Sequence, residues 1–305
     1  MGTAEPWTGK LTFEYVAATG ATLATHEYAT YPLKFLRPTS MIAPGHHSNV
    51  TCILGYGGGL VARDRTKICV HAGASTSVVL CTQATTKVFK CIRNGPAVED
   101  DRTKQELYVT VDADAIFVLV PDPVTCFDDA KYVQRQVFSM DATATLVVLD
   151  WLTSGRQARG EHWAFASYES YNEIAITRDG EMVETLVADR TRLRQDELIP
   201  LADRMGGMHV MGTLVLTGLR VQNLVSDLLA QGARKHLAQH MTPVPSGQLL
   251  PPTTSLVRAA ISPLGKHGAI IRFCSPSTDE AYSYIKTVLA PLHELVGFQC
   301  FQENR

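Results

Sequence analysis

Four acids in this 305-residue chain stand beside apolar or aromatic neighbours: Asp64, Asp150, Glu161 and Glu169. A carboxylate taken out of water is costly unless it is paired or hydrated. Acids in such settings could line a water-filled passage, where weak oxygen ligands let a divalent ion enter and leave. Salt bridges to Arg63, Arg156 or Arg159 are the simpler competing reading. A carboxylate pair doing acid–base work, for example Asp64 with Glu161, is a third, although sequence cannot bring the two within reach of one bond.

Other chemistries find less support. His46 and His47 are adjacent, so on a strand they would point to opposite faces and could not chelate one ion. His236 and His240 are four apart, a usable helical metal spacing, but lack a nearby third ligand. The seven cysteines, Cys52, Cys69, Cys81, Cys91, Cys126, Cys274 and Cys300, form no C-x-x-C pair and read as buried free thiols. Gly55, Gly57, Gly58 and Gly59 invite a nucleotide reading, but Leu60 replaces the third glycine of a dinucleotide fingerprint. Gly265-Lys266 is followed by His267, so it is not a phosphate loop. The glycines instead predict a tight turn with close backbone approach. The chain has no G-x-S-x-G elbow and no H-E-x-x-H helix.

The elements that must position these residues are mostly strands. Hydrophobic residues make up 45% of the chain and charged ones 19%, enough apolar surface for a large core in one domain spanning 1–305. A net charge of −2 gives no basic footprint for nucleic acid. The first twenty residues predict no signal peptide, and no apolar run is long enough to span a membrane, so a cytoplasmic protein is expected. From residue 11 to about 216, short strands recur at roughly ten-residue spacing. Leu107, Val109 and Val111 alternate with Glu106, Tyr108 and Thr110, and Val88, Lys90 and Ile92 alternate with Lys87, Phe89 and Cys91. Ile116–Val120 and Leu146–Leu149 are apolar on both faces, as strands covered twice should be. Asp179-Gly180 predicts a tight hairpin between 172–178 and 181–188.

Two helices interrupt this pattern in the C-terminal third. One is predicted over 223–240, with Leu224, Val225, Leu228, Leu229, Ala233 and Leu237 as its apolar stripe and Asp227, Arg234 and Gln239 toward water. The other starts at Ser277, which has capping-box spacing to Glu280, and must end or kink near Ala290 because of Pro291. An irregular proline-rich connector over 243–252 lies between the helices, and strands resume at 255–261 and 267–274. The class is mainly β: many short strands in stacked sheets, able to wind as a β-helical or solenoid-like body, with two α-helices.

Five segments, in order, resemble the urease accessory protein UreD (UreH) family. They are Tyr31-Pro32-Leu33-Lys34 with Leu36-Arg37-Pro38; Gly57-Gly58-Gly59 running to Asp64; and Leu80-Cys81-Thr82-Gln83 with Thr86-Lys87-Val88-Phe89-Lys90. Then come Pro121-Asp122-Pro123-Val124 with Phe127, Tyr132 and Gln134, and Asp150-Trp151 through Arg156, Gly160, Glu161 and Trp163. The chain departs from the pattern at Ala62-Arg63, where many members carry small residues, and at Cys81, where Thr is common.

The resemblance implies a non-catalytic scaffold in urease maturation. It would join UreF-like and UreG-like proteins and bind apo-urease while nickel enters, with no tightly bound cofactor and Ni²⁺ only in transit. Asp64 and Glu161, then Asp150 and Glu169, are the path candidates on this reading. The helix bearing Leu224, Leu228 and Leu229, with exposed Arg234 and Gln239, is the candidate partner surface. The alternative is a β-helical carbohydrate-active hydrolase or lyase using Asp and Glu.

Overall fold

The computed structural model describes residues 6–38, 41–90, 100–241, 256–266, 268–299 and 301, with side chains in the long helix described as far as Arg234. Among these residues the chain forms β1 (Gly9–Val16), β2 (Ala21–Ala29), β3 (Leu33–Leu36), β4 (Asn49–Gly55), β5 (Arg65–Ala72), β6 (Ser77–Thr82), β7 (Thr86–Val88), β8 (Thr103–Val111) and β9 (Ile116–Val120). It continues through β10 (Val124–Cys126), β11 (Lys131–Asp141), β12 (Thr145–Thr153), β13 (Ser167–Arg178), β14 (Glu181–Arg194), α1 (Leu201–Arg204) and β15 (Val210–Thr217). Last come α2 (Gln222–Met241), β16 (Arg258–Leu264), β17 (Gly268–Ser275), α3 (Thr278–Leu289) and α4 (Leu292–Val296). The fold is mainly sheet with two long helices, and the short α1 and α4 are additions to the expected pair.

The strands make two sheets. The outer sheet has the order β14-β13-β11-β8-β5-β1-β2, and the central sheet β16-β17-β15-β12-β9-β6-β4-β3 with β10 and β7 attached beside β12. Neighbours in the middle of both sheets are parallel: β1, β5, β8, β11 and β13 in one, β4, β6, β9 and β12 in the other. Parallel neighbours need a crossover. Here the return leg is itself a strand of the facing sheet, so, leaving aside the short β7 and β10, the chain alternates sheets from β4 to β13.

This path explains the hydrophobic patterning. Leu107, Val109 and Val111 of β8 join Ile68, Val70 and Phe138 against Leu80, Phe117, Leu119 and Val148 of the central sheet. The central sheet is covered again on its far side by α2, α3 and α4 through Val225, Leu228, Ile285 and Leu292. Every residue of β9 and β12 is accordingly buried. The 179–180 hairpin forms as predicted, with Asp179 and Gly180 both at positive φ, and extends to β13 and β14.

Helix starts and stops follow their local chemistry. Ser277 Oγ accepts the Glu280 N–H at 3.2 Å, and α3 ends at Leu289 with α4 restarting after Pro291. Two expectations need correction. The alternation at 87–92 yields only the short β7, with Cys91 and Ile92 outside the described residues. Ala233 is exposed, and α2 instead approaches β16 through Gly232, where an added Cβ would lie 3.2 Å from Ile261. On the expected partner surface, Leu228 is buried, and Leu224 and Leu229 pack on the same core. Arg234 is exposed; the Gln239 side chain and the 243–252 connector lie outside the described residues.

Candidate functional site: a polar interior around Asp150

Toward one end, the layer between the sheets changes from apolar to polar. Strand register places Thr66 opposite Gln105, Gln105 opposite Gln134, and Gln134 opposite Ser170, a polar row across β5, β8, β11 and β13. Asp150 of β12 meets this row from the central sheet. Its Oδ1 accepts from Gln134 Nε2 at 2.9 Å, and its Oδ2 from Ser170 Oγ at 2.6 Å and Asn172 Nδ2 at 2.7 Å. Asp150 is 9% exposed and makes no ion pair among the described residues.

The hydrogen-bond network is ordered outward from this carboxylate. Tyr132 donates to Gln105 Oε1 at 2.8 Å and also lies 3.1 Å from Gln134 Oε1, which fixes the Gln134 amide with its NH₂ toward Asp150. Burial, reinforced by the Asp150 charge, holds the Tyr132 and Tyr168 hydroxyls well above the usual phenol range, so both stay neutral. Three buried oxygens, Thr66 Oγ1, Gln136 Oε1 and Asn172 Oδ1, have no hydrogen-bond partner among the described residues. Buried polar atoms are rarely left so, and where they are, water or an ion is the usual occupant.

Two neighbouring cavities adjoin this cluster. One of about 50 Å³ is lined by Gln134, Gln136, Asp150, Asp122, Trp151 and Thr82. A second of about 200 Å³ shares Thr82, Thr86 and Gln105 with the first and reaches Thr66, Gln83 and the glycine turn at Gly55, Gly58 and Gly59. The turn is built for this place. Gly57 and Gly58 have φ of 73° and 75°, and a Cβ on Gly59 would lie 2.7 Å from the Lys87 carbonyl. That carbonyl accepts the Leu60 N–H at 2.8 Å, which seats the turn against the exposed Lys87.

Asp122 was not singled out as an acid by its sequence surroundings, yet it stands in the same wall. Thr82 Oγ1 donates to Asp122 Oδ2 at 3.2 Å and accepts the Asp122 N–H at 2.8 Å. Trp151 is buried and donates its indole N–H to Pro121 O at 2.8 Å, fixing the chain just before Asp122.

The other predicted acids have different settings. Asp64 accepts the Val61 N–H at 2.9 Å and closes the turn after the glycines. Glu161 pairs with Arg156, whose Nε lies 2.9 Å from Oε2 and whose guanidinium stacks 3.9 Å from the Phe127 ring centroid. That partner holds the Glu161 carboxyl below its usual range. Gly160 takes φ 75° to close the short turn over Gln157–Arg159 that positions the pair. Glu169 lies on the outer face under Arg194 at 2.5 Å and Arg190 at 3.3 Å, with Arg192 at 3.7 Å. Of the four acids, only Asp150 lines the first of these cavities, and none lines the second.

A polar interior around Asp150, with a glycine turn at the edge of the adjoining cavity, is thus built from segments far apart in the chain. Residues 8–301 match the model of the UreD urease accessory protein family. The chain is 33% identical to urease accessory protein D of Oryza sativa subsp. indica, over 97% of this chain and 96% of that protein. It is 30% identical to urease accessory protein D of Arabidopsis thaliana, over 95% and 98%, and 33% identical to urease accessory protein UreD of Sorangium cellulosum, over 95% and 81%. The chain belongs to the UreD family, and an accessory role in urease maturation follows from that membership. Among the described residues no helix is long and apolar enough to cross a membrane.

Proposed function

We propose that this protein is a non-catalytic scaffold through whose interior Ni²⁺ passes as cargo toward apo-urease, in a cytoplasmic complex with UreF-like and UreG-like proteins. The observation that carries this reading is Asp150, a buried carboxylate held by three neutral donors beside oxygens without partners. An uncompensated negative charge in a low-dielectric interior attracts a divalent cation strongly. Carboxylate, amide and hydroxyl oxygens are not the ligands a borderline metal prefers, so the ion is drawn in without being trapped. The cavity mouth at Gly55–Gly59 supplies an opening, and Asp122 a second carboxylate along the wall. Glu161 and Glu169 are already paired with arginines, and Asp64 accepts a backbone N–H within its own turn, which supports structural roles for those three.

The test is coexpression with apo-urease and its other accessory proteins at limiting nickel, scoring urease-bound nickel, urease activity and copurification of the accessory complex. Asp150→Asn should leave the complex assembled while urease nickel and activity fall together, at least fivefold. Normal nickel loading in both the Asp150→Asn and the Asp122→Asn chains would remove the interior from the pathway.

A further inference from the structure

Outside the polar interior, the loop after β12 and the entry to β15 bring two histidines together. The His162 and His209 ring centroids are 4.9 Å apart, with their planes inclined by 46°. His162 is exposed and His209 half-buried. The Trp163 side chain ties the two segments together. Trp163, next to His162, donates its indole N–H to the carbonyl of Met208, next to His209, at 2.8 Å. The Trp163 N–H reaches Ser154 O at 2.6 Å, and the His209 N–H reaches Ser275 O at 2.8 Å.

We propose that His162 and His209 form a surface site for one borderline divalent cation, Ni²⁺ or Zn²⁺, whose other coordination positions are filled by water or by a ligand from a partner. Imidazole suits these metals, whereas Mg²⁺ and Ca²⁺ prefer oxygen. Ser154 Oγ lies 3.2 Å from His209 Nδ1. With Nδ1–H donating to that hydroxyl, Nε2 keeps its lone pair, and the ring is oriented in the way second-shell partners orient metal-binding histidines. Neighbouring Glu161 is tied to Arg156 and leaves the imidazoles as the ligand pair. Neither histidine lines the cavities around Asp150, so the site stands whether or not nickel crosses the interior.

Isothermal titration of the full chain with NiCl₂ tests this. The H162Q/H209Q chain should bind Ni²⁺ at least tenfold more weakly than wild type, while H46Q/H293Q, altering another ring pair with centroids 6.3 Å apart, retains the wild-type component and MgCl₂ does not reproduce it. An unchanged isotherm for H162Q/H209Q overturns the proposal. Should that variant lose its thermal transition, the wild-type chain decides: its histidine ring resonances are followed during ZnCl₂ addition. The His162 and His209 signals shifting together at one equivalent supports the site, and both remaining fixed at saturation overturns it.

Discussion

Tyr282 on α3 donates its hydroxyl to Asp122 Oδ1 at 2.9 Å, so the helical layer and the polar interior share one carboxylate. The same ring stands edge-on to Trp151, with centroids 4.8 Å apart. Trp151 in turn fixes Pro121, one residue before Asp122. The packing of α3 therefore sets one wall of the cavity beside Asp150.

Tyr282→Phe keeps the ring contact and removes only the hydroxyl. Because the lost bond is to a carboxylate, destabilisation of about 1.5–3 kcal/mol is expected, at the lower end since Thr82 still bonds Asp122. Urea denaturation of the two chains measures it. An unchanged midpoint would mean that α3 is positioned by packing alone.

The glycine turn offers a comparison between two kinds of constraint. Gly58→Ala meets no atom within 4 Å but must adopt φ near 75°, a cost of about 1 kcal/mol. Gly59→Ala has an ordinary extended backbone, yet its Cβ would lie 2.6 Å from Phe89 and 2.7 Å from the Lys87 carbonyl. Relief requires moving the backbone of residues 87–89, so about 2–3 kcal/mol is expected. Thermal melts should rank Gly59→Ala below Gly58→Ala; the reverse order would mean that dihedral strain, not close approach, fixes this turn.

Much of the frame was legible because it rests on local rules. Leu107, Val109 and Val111 alternate since one face of β8 meets the core, and Ser277, Glu280 and Pro291 begin and end α3 by their own backbone chemistry. The polar row was not legible. Thr66, Gln105, Gln134 and Ser170 become neighbours only through the register of four parallel strands, and apart from Gln134, which stands in a family segment, nothing in their local sequence marks them. Glu169 shows an intermediate case. The Asp179-Gly180 turn pairs it with the basic end of β14, but two bulges each advance the register by one residue, bringing Arg192 opposite where simple counting gives Arg190. A shift of two residues leaves the same face outward, so the arginines still cover the acid. Asp64 and Glu161 drew attention through their motifs, and the turn and the ion pair they complete were visible only as neighbouring donors in the sequence.

Burial of the α2 leucines separates stability from association. Leu228→Ala should cost about 2–5 kcal/mol, as a core truncation does. Arg234→Ala, at an exposed position, should change stability by less than about 0.5 kcal/mol. Denaturation curves, read beside pull-down by a UreF-like protein, distinguish the two roles. If Leu228→Ala proved as stable as wild type but failed to bind, the leucine face would be an interface after all.

The outer-face cluster predicts a specific acid response. Arg194, with Arg190, holds the Glu169 carboxyl below its usual range, and the side chain is 8% exposed beneath them. A carboxylate whose folded pKa is depressed stabilises the fold above its unfolded value, about 4.3, and loses that contribution as pH falls through the lower folded value. Glu169→Gln removes the charge at every pH. The variant should therefore be less stable than wild type near neutrality, by about 1–3 kcal/mol because the arginines are half-exposed while the acid is not. Below about pH 4.3 the gap should narrow and then close, because wild type alone has a charge left to lose. Urea titrations at intervals from about pH 7 to about pH 3 measure both curves. Parallel curves over that whole range would show that the ion pairs contribute nothing to folding and that Glu169 is held there by its strand neighbours alone.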